Sequence, residues 1–282
     1  MVTTLGICAP GAMGSAIGAC AVATGHRVVW ASQGRSRDTV ARAEEDGLTD
    51  VGDLGALLET SDVVLSVCPP HAAVDVAAEI AAHGYAGTVI DANAISPATM
   101  GRVQRTLASG GATVVDASIV GPPPRGEDRT RLFLAGAGAE RFAALFPDAP
   151  LHIVDLHAAP PAASALKMAY AAWSKGSAGL LFAVRAYASH AGVEDALLDE
   201  WERSQPDLAE RSDRQAADAG PKAWRWVAEM EEIAATLDDA SLPDGFHHAA
   251  AEVFHRLRGH RGGPPPAIED VVADLLDPPT DD

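Results

Sequence analysis

The chain has 282 residues, enough for one well-buried α/β unit plus a second domain, and two domains are the expectation. Its 39 acidic and 21 basic residues give a formal charge of −18, which argues against nucleic acid and anionic membrane surfaces as partners, because phosphate binding needs clustered Lys and Arg. Small neutral or locally steered substrates stay open.

The first apolar run, Thr4 to Cys8, reads as a strand, and Ser15 to Thr24 reads as a helix. Between them lies Ala9-Pro-Gly-Ala-Met-Gly14, a turn with the shape of a dinucleotide-binding fingerprint. Gly11 lets the backbone approach a pyrophosphate, the N–H groups of Ala12 and Met13 open the helix with a partial positive charge, and Gly14 permits close helix–strand packing. Ala9 replaces the first glycine of the usual GxGxxG pattern, so the strand–turn–helix context carries the assignment. A Gly-rich turn in an ordinary βα unit is the plain alternative.

Arg27 to Ala31 forms a second strand, and roughly 20 residues beyond the glycines a nucleotide-binding fold places Asp or Glu against the ribose hydroxyls. Here that place holds Ser32-Gln33-Gly34-Arg35-Ser36. No carboxylate stands in this segment to repel a 2′-phosphate, and Arg35 with Ser32 and Ser36 suits one through charge-assisted hydrogen bonds, so NADP is favoured over NAD. Arg37 and Arg42 are equal candidates for that grip, and an exposed arginine needs no ligand at all.

Asp62 to Val67, Thr88 to Asp91, Thr113 to Ser118 and Arg131 to Ala135 continue the strand series to about residue 157, alternating with helical patterns. Asp53, Pro70 and Ser96-Pro97 mark helix starts. The expected architecture is α/β: a doubly wound parallel Rossmann domain over 1–157, then an all-helical domain over 158–282. After Pro160-Pro161 the strands stop, and an Ala-rich helix runs from Ala162 to about Ser189. Helices follow at Glu194 to Arg203, Asp207 to Ala219, Lys222 to Leu237, Gly245 to Arg258 and Ala267 to Leu276. Ala223, Val227, Met230, Ala234 and Leu237 share one apolar face. Pro278 to Asp282 reads as a disordered tail. Cys8, Cys20 and Cys68 lack CxxC spacing, the pattern of a reducing compartment without a zinc motif. The start carries no signal-like apolar core, and no run reaches the roughly 20 apolar residues of a membrane span, so a cytoplasmic protein is expected.

In open parallel sheets ligands bind beyond the carboxyl ends of the strands. Those stretches are Cys68-Pro69-Pro70-His71, suited to wall the nicotinamide ribose; Asp91 to Pro97, where Asn93 offers an amide to cofactor or substrate; and Ala117 to Pro122. Each also reads as an ordinary turn. Lys167 interrupts an apolar, small-residue helix, where a buried ammonium is costly unless paired or used. Tyr170, Ala171 and Ser174 share its face. A lysine in an apolar pocket can give a proton to a carbonyl oxygen; equally it can snorkel to solvent. Lys175 competes for the role. The histidines lack metal-ligand spacing and read as solvated or capping, the acids of Glu229-Met-Glu-Glu232 read as a solvated face from which one carboxylate can reach the interdomain cleft, and no nucleophile elbow supports Ser-His-Asp catalysis.

Together these stretches resemble the β-hydroxyacid dehydrogenase superfamily, which includes 6-phosphogluconate dehydrogenase, hydroxyisobutyrate dehydrogenase and the imine reductases, and most closely a little-characterised bacterial branch of it. Residues 9–14 are similar to that family's GLGxMG, residues 91–97 to its DxSTxSP segment and residues 116–122 to its DAPVSGG segment. The resemblance implies that Val120, Gly121, Pro122 and Ser174 face substrate and that Lys167 is the catalytic lysine at the start of a long interdomain helix. It also implies a homodimer whose subunits complete each other's sites. Asn93-Ala94 replaces the family's Ser-Thr pair, Val120 its serine, and Ala171 the asparagine four residues after the lysine. These departures argue against a simple 3-hydroxy acid and make Tyr170, Ser174 or Asn93 the substitute donor. The implied activity is an NADP-dependent hydride transfer between nicotinamide and a small carbonyl or alcohol, with Lys167 as general acid/base. The alternatives are an imine reductase and a non-catalytic NADP-binding protein, and a retained lysine counts against both.

Overall fold

The computed structural model describes residues 2–126, 130–147 and 149–277, and the chain divides into two compact units, residues 1–167 and 168–282. The tail at 278–282 lies outside the described residues. The first unit holds an eight-stranded sheet: β1 (Thr4–Ile7), β2 (Arg27–Trp30), β3 (Thr49–Asp50), β4 (Val63–Ser66), β5 (Thr88–Asp91), β6 (Thr113–Val120), β7 (Thr130–Ala135) and β8 (Leu151–Asp155). Their spatial order is β3-β2-β1-β4-β5-β6-β7-β8. The first six strands are parallel, and the order reverses between β1 and β4, the place where such sheets open a crevice for ligands. β7 departs from the expected all-parallel sheet: it pairs antiparallel with β6, Ser118 opposite Phe133. The connection over 121–129 is shorter than the dozen or so residues a parallel crossover needs, so the chain must turn back.

Strand residues alternate between two cores. Leu5, Ile7, Val28, Trp30, Leu65 and Ile90 face α1 (Ala12–Ala23) and α6 (Ala139–Ala143), through Ile17, Cys20 and Phe142. Val29, Val64, Val89 and Val114 face α3 (Leu54–Thr60), α4 (Ala73–Ala82) and α5 (Pro97–Ser109), through Leu57, Ile80 and Met100. Both faces are covered, so the strands are near-continuous apolar runs. The predicted caps form: Asp53 accepts the Ala56 N–H at 2.9 Å, and Ser96 accepts the Thr99 N–H with Pro97 at the first helical position.

The second unit takes in the rest of α7 (Ala162–His190) with α8 (Glu194–Ser204), α9 (Leu208–Ala219), α10 (Ala223–Asp239), α11 (Gly245–Arg256) and α12 (Ile268–Leu276). Its core joins Ala178, Phe182, Met230, Ile233, Phe254 and Val271, with Trp226 edge-on to Phe254 at 5.1 Å. Gly179 lets α7 approach α11: a Cβ there would already lie 3.4 Å from that of Ala250. Buried Arg185 is satisfied by Glu194, Ser212 and Asp213, tying α7 to α8 and α9. Among the described residues no helix is long and apolar enough to cross a membrane.

Two expectations about polar side chains in this unit are corrected. His247 is neither solvated nor capping: it is 8% exposed, packed on Gly176 and edge-on to Phe246. Glu229 is not a solvated acid but the ion-pair partner of Lys175, whose ammonium also lies 5.1 Å from the Trp226 ring centroid. Lys175 is thereby engaged within the helical core. Both residues sit where helix faces meet, which spacing along one helix does not reveal.

A Cβ on Gly14 would approach the Ala9 carbonyl oxygen to 2.8 Å, closer than side chains come. Gly14→Ala is expected to destabilise the protein by about 1–3 kcal/mol through this overpacking, read as a lower thermal midpoint without any nucleotide present.

Candidate functional site

The turn after β1 leads into a helix start that no side chain caps. The Cys8 N–H donates to Leu65 O at 3.1 Å, the Gly11 N–H folds back to Ala9 O at 2.8 Å, and α1 begins at Ala12 with Gly11 as a cap that has no side chain to offer. The first N–H groups of the helix, those of Ala12, Met13 and Gly14, have no capping side chain and carry the positive end of the helix dipole. Nothing lies within 4 Å of a Cβ built on Gly11. Gly14 serves packing, and Gly11 borders open space. This donor set fits the pyrophosphate of a dinucleotide.

Two of the three candidate arginines bracket that turn. Arg35 reaches the Cys8 carbonyl at 2.9 Å and Arg42 the Pro10 carbonyl at 3.4 Å, whereas Arg37 is exposed at the first position of α2 (Arg37–Glu45). Ser36 is the cap of α2, its hydroxyl accepting the Thr39 N–H at 3.3 Å. The segment is not free of carboxylates in space, contrary to expectation. Asp50, at the end of β3 and in register with Trp30, accepts the Ser32 N–H at 3.1 Å and the Gly52 N–H at 2.8 Å. A two-residue strand is too short for any hydrophobic period to reveal, so Asp50 was not legible as part of this site.

A row of buried polar groups follows at the ends of β4, β5 and β6. Asn93 is 2% exposed and its amide is fully engaged: Oδ1 accepts the Cys68 N–H at 2.6 Å, and Nδ2 donates to Asp91 at 2.8 Å and Ser66 at 3.2 Å. It braces the Cys68-Pro69-Pro70 corner and has no N–H left for a ligand. Burial raises the Asp91 carboxyl to about 7, helped by the Asp116 charge and opposed by the Asn93 hydrogen bonds. Burial likewise pushes the Cys8 thiol to about 12 and the Cys68 thiol to about 11, so neither is a nucleophile at neutral pH.

Asp116 lies directly across from Asp91 on β6 and is fully buried. It accepts the Ser164 hydroxyl at 2.6 Å and the Ser164 N–H at 3.0 Å, gripping the first turn of α7; burial still holds its carboxyl above the usual range. One turn on, Lys167 donates to the Ile119 carbonyl at 2.8 Å. The structure therefore brings Lys167 to the segment Val120-Gly121-Pro122, where Val120 is buried, Gly121 and Pro122 are exposed, and Gly121 has φ 121°. Tyr170 and Ser174 lie one and two turns along α7 in the second unit; Tyr170 is 48% exposed and Ser174 half-buried. The grip of Asp116 on Ser164 spans 48 residues and has no local signature.

Residues 4–147, half of the chain, match the family described as the NAD binding domain of 6-phosphogluconate dehydrogenase. The chain belongs to this family. Residues 188–257 match a domain of unknown function, DUF1932. An uncharacterised 28.5 kDa protein of Methanothermus fervidus is 27% identical over 168 residues, 59% of this chain and 64% of that protein, so the match spans less than two thirds of that relative. Among solved structures, the conserved protein MTH1747, described as structurally similar to 3-hydroxyacid dehydrogenases, is 26% identical with a TM-score of 0.71, covering 91% of this chain and 97% of that one. The 3-hydroxyisobutyrate dehydrogenase of Mycobacterium tuberculosis, solved with L-serine, shares the fold at 16% identity, with a TM-score of 0.74 over 98% of this chain and 99% of that one.

Because Gly11 borders open space, Gly11→Ala is expected to leave the thermal midpoint of the nucleotide-free protein unchanged while weakening dinucleotide binding at least about tenfold. Thermal melts with and without nucleotide, set against Gly14→Ala, separate the two glycines. Asp91 gives a pH dependence of stability. Its folded value of about 7 lies above the ordinary carboxylate value of about 4, so the folded state holds the proton more tightly. The stability this contributes is complete below about pH 4 and is lost as pH rises through about 7. Denaturant midpoints of Asp91→Asn relative to wild type should climb across that window, and a flat difference would remove the assignment.

Proposed function

We propose that the protein is an NADP-dependent oxidoreductase that moves a hydride between nicotinamide and a small carbonyl or alcohol, with Lys167 as the general acid/base. The observation that carries the reading is Lys167 held 2.8 Å from the Ile119 carbonyl, at the same carboxyl edge of the sheet as the uncapped start of α1. Gly11, Ala12, Met13 and Gly14 would cradle the pyrophosphate, with Arg35, Ser32 and Ser36 at the adenosine ribose and Cys68-Pro69-Pro70 along the nicotinamide ribose. When bound, the dinucleotide supplies or accepts the hydride. In the reductive direction Lys167 gives a proton from Nζ to the substrate oxygen as the carbonyl carbon gains hydride, and solvent then reprotonates the amine. Asn93 acts by bracing the Cys68 corner, which leaves Tyr170 or Ser174 as a second donor to substrate.

In this reading residues 1–157 bind the dinucleotide, and 158–282 contribute substrate contacts and dimerisation. Tyr170, Trp173, Leu180 and Tyr187 are exposed along α7 at spacings of three and seven residues, and a second copy of the chain would cover them. Three free cysteines accord with a cytoplasmic setting.

Fluorescence titration with NADPH and NADH tests the cofactor assignment, and turnover across carbonyl, alcohol and imine panels tests the chemistry. NADPH should bind more tightly than NADH, and Arg35→Ala should weaken NADPH about tenfold. Lys167→Met should lower turnover about 100-fold or more while leaving the NADPH Kd in place. Tight NADPH binding without turnover on any panel, unaltered by Lys167→Met, would leave a binding protein and no enzyme.

A further inference from the structure

In dinucleotide-binding sheets the residue that reads the ribose ordinarily sits at the end of the second strand. Here that strand is followed by Ser32, and the nearest carboxylate comes from the neighbouring strand. Asp50 is anchored by two backbone donors, the Ser32 N–H and the Gly52 N–H, while the Gln33 N–H donates to Gly52 O at 2.9 Å. The loop after β2 is thus zipped to the turn after β3, and the carboxylate cannot swing away without losing these donors. The positive groups nearby are Arg35, extended to the Cys8 carbonyl, and exposed Arg37; Asp38 adds a further negative charge in the first turn of α2. Asp53 is occupied capping α3.

We propose that Asp50 is a cofactor-specificity residue, whose anchored carboxylate at Ser32 opposes the 2′-phosphate that Arg35 attracts. The inference rests on the dinucleotide-binding reading above. It makes the preference for NADPH a balance of two charges, so the protein accepts NADH as well, within a narrow ratio. The hydrogen bonds of Asp50 hold its carboxyl below the ordinary range, so the opposing charge is present at every pH at which the enzyme would work. Two like unit charges separated by about 6 Å repel, at an effective dielectric of about 40, by enough to weaken binding about tenfold.

The test is fluorescence titration of wild type and Asp50→Asn with NADPH and NADH, alongside thermal melts without nucleotide. Asparagine keeps an oxygen for the Ser32 and Gly52 N–H groups, so the loop survives the change. The expected result is an unchanged melt and an NADPH:NADH affinity ratio raised about tenfold, mainly through tighter NADPH. A ratio that stays put or falls makes Asp50 a loop brace only and overturns the proposal. Wild type tests it independently of any variant: discrimination between the two nucleotides beyond about a thousandfold, in either direction, is incompatible with two opposed charges of this size. If wild type binds neither nucleotide, the dinucleotide reading itself falls; if it binds both and the variant leaves their ratio unchanged, only the role of Asp50 falls.

Discussion

The grip of the Asp116 carboxylate on the first turn of α7 is the contact on which the candidate site depends. A helix start leaves N–H groups without partners, and α7 begins against the sheet where water is excluded. Asp116 takes the Ser164 N–H and hydroxyl, with the helix dipole in place of a counter-cation. Three residues further along the same strand, the Ile119 carbonyl takes the Lys167 ammonium. Strand and helix are thus pinned at two places, and the lysine's position follows from the first. Asp91 lies directly across on β5, so two buried carboxylates adjoin and ionising both is costly. Burial, with the Asp116 charge adding to it, favours the protonated form of Asp91 up to about pH 7, and Asn93 ties Asp91 to the Cys68 corner.

This economy decides what remains for a ligand. Asn93 looks like a free donor in the sequence, but its amide is engaged in holding the scaffold. The groups that would meet a ligand are of another kind: the backbone N–H groups opening α1 and the guanidinium of Arg35. A site of this type binds by fixed backbone dipoles and a few charges instead of adaptable side-chain amides. In the proposed reading its first selectivity would be electrostatic, for phosphate-bearing groups, with shape supplied by the Pro69-Pro70 corner.

Much of the scaffold was legible because each signal had a local cause. Gly11 and Gly14 sat in a strand–turn–helix context; Asp53 and Ser96-Pro97 were caps of the expected kind; the runs at 4–8, 62–67 and 88–91 were apolar enough for strands covered on both faces. What escaped was non-local. β3 is two residues long and held by β2, so it carries no period of its own. The direction of β7 is set by the length of a loop and not by its strand residues. His247 and Glu229 are polar residues on faces that only tertiary packing buries. The roles of Asp50, Asn93 and Asp116 depend on partners 18, 25 and 48 residues away, distances no motif spans.

A chain with a formal charge of −18 that binds an anionic dinucleotide sets a physical puzzle, since its overall field repels the ligand. The resolution lies in range. At physiological ionic strength charges beyond about 8 Å are largely screened, so the net charge slows approach but contributes little to the bound state. Inside that radius the turn after β1 offers uncapped helix N–H groups with Arg35 and Arg42 bracketing them. Locally the sign is positive although globally it is negative. Both arginines hydrogen-bond to backbone carbonyls, which orients their charge, and Arg42 also acts on the Asp46 carboxylate. Neutralising them in ion pairs would rigidify the turn equally well but weaken the local attraction that offsets the repulsive field.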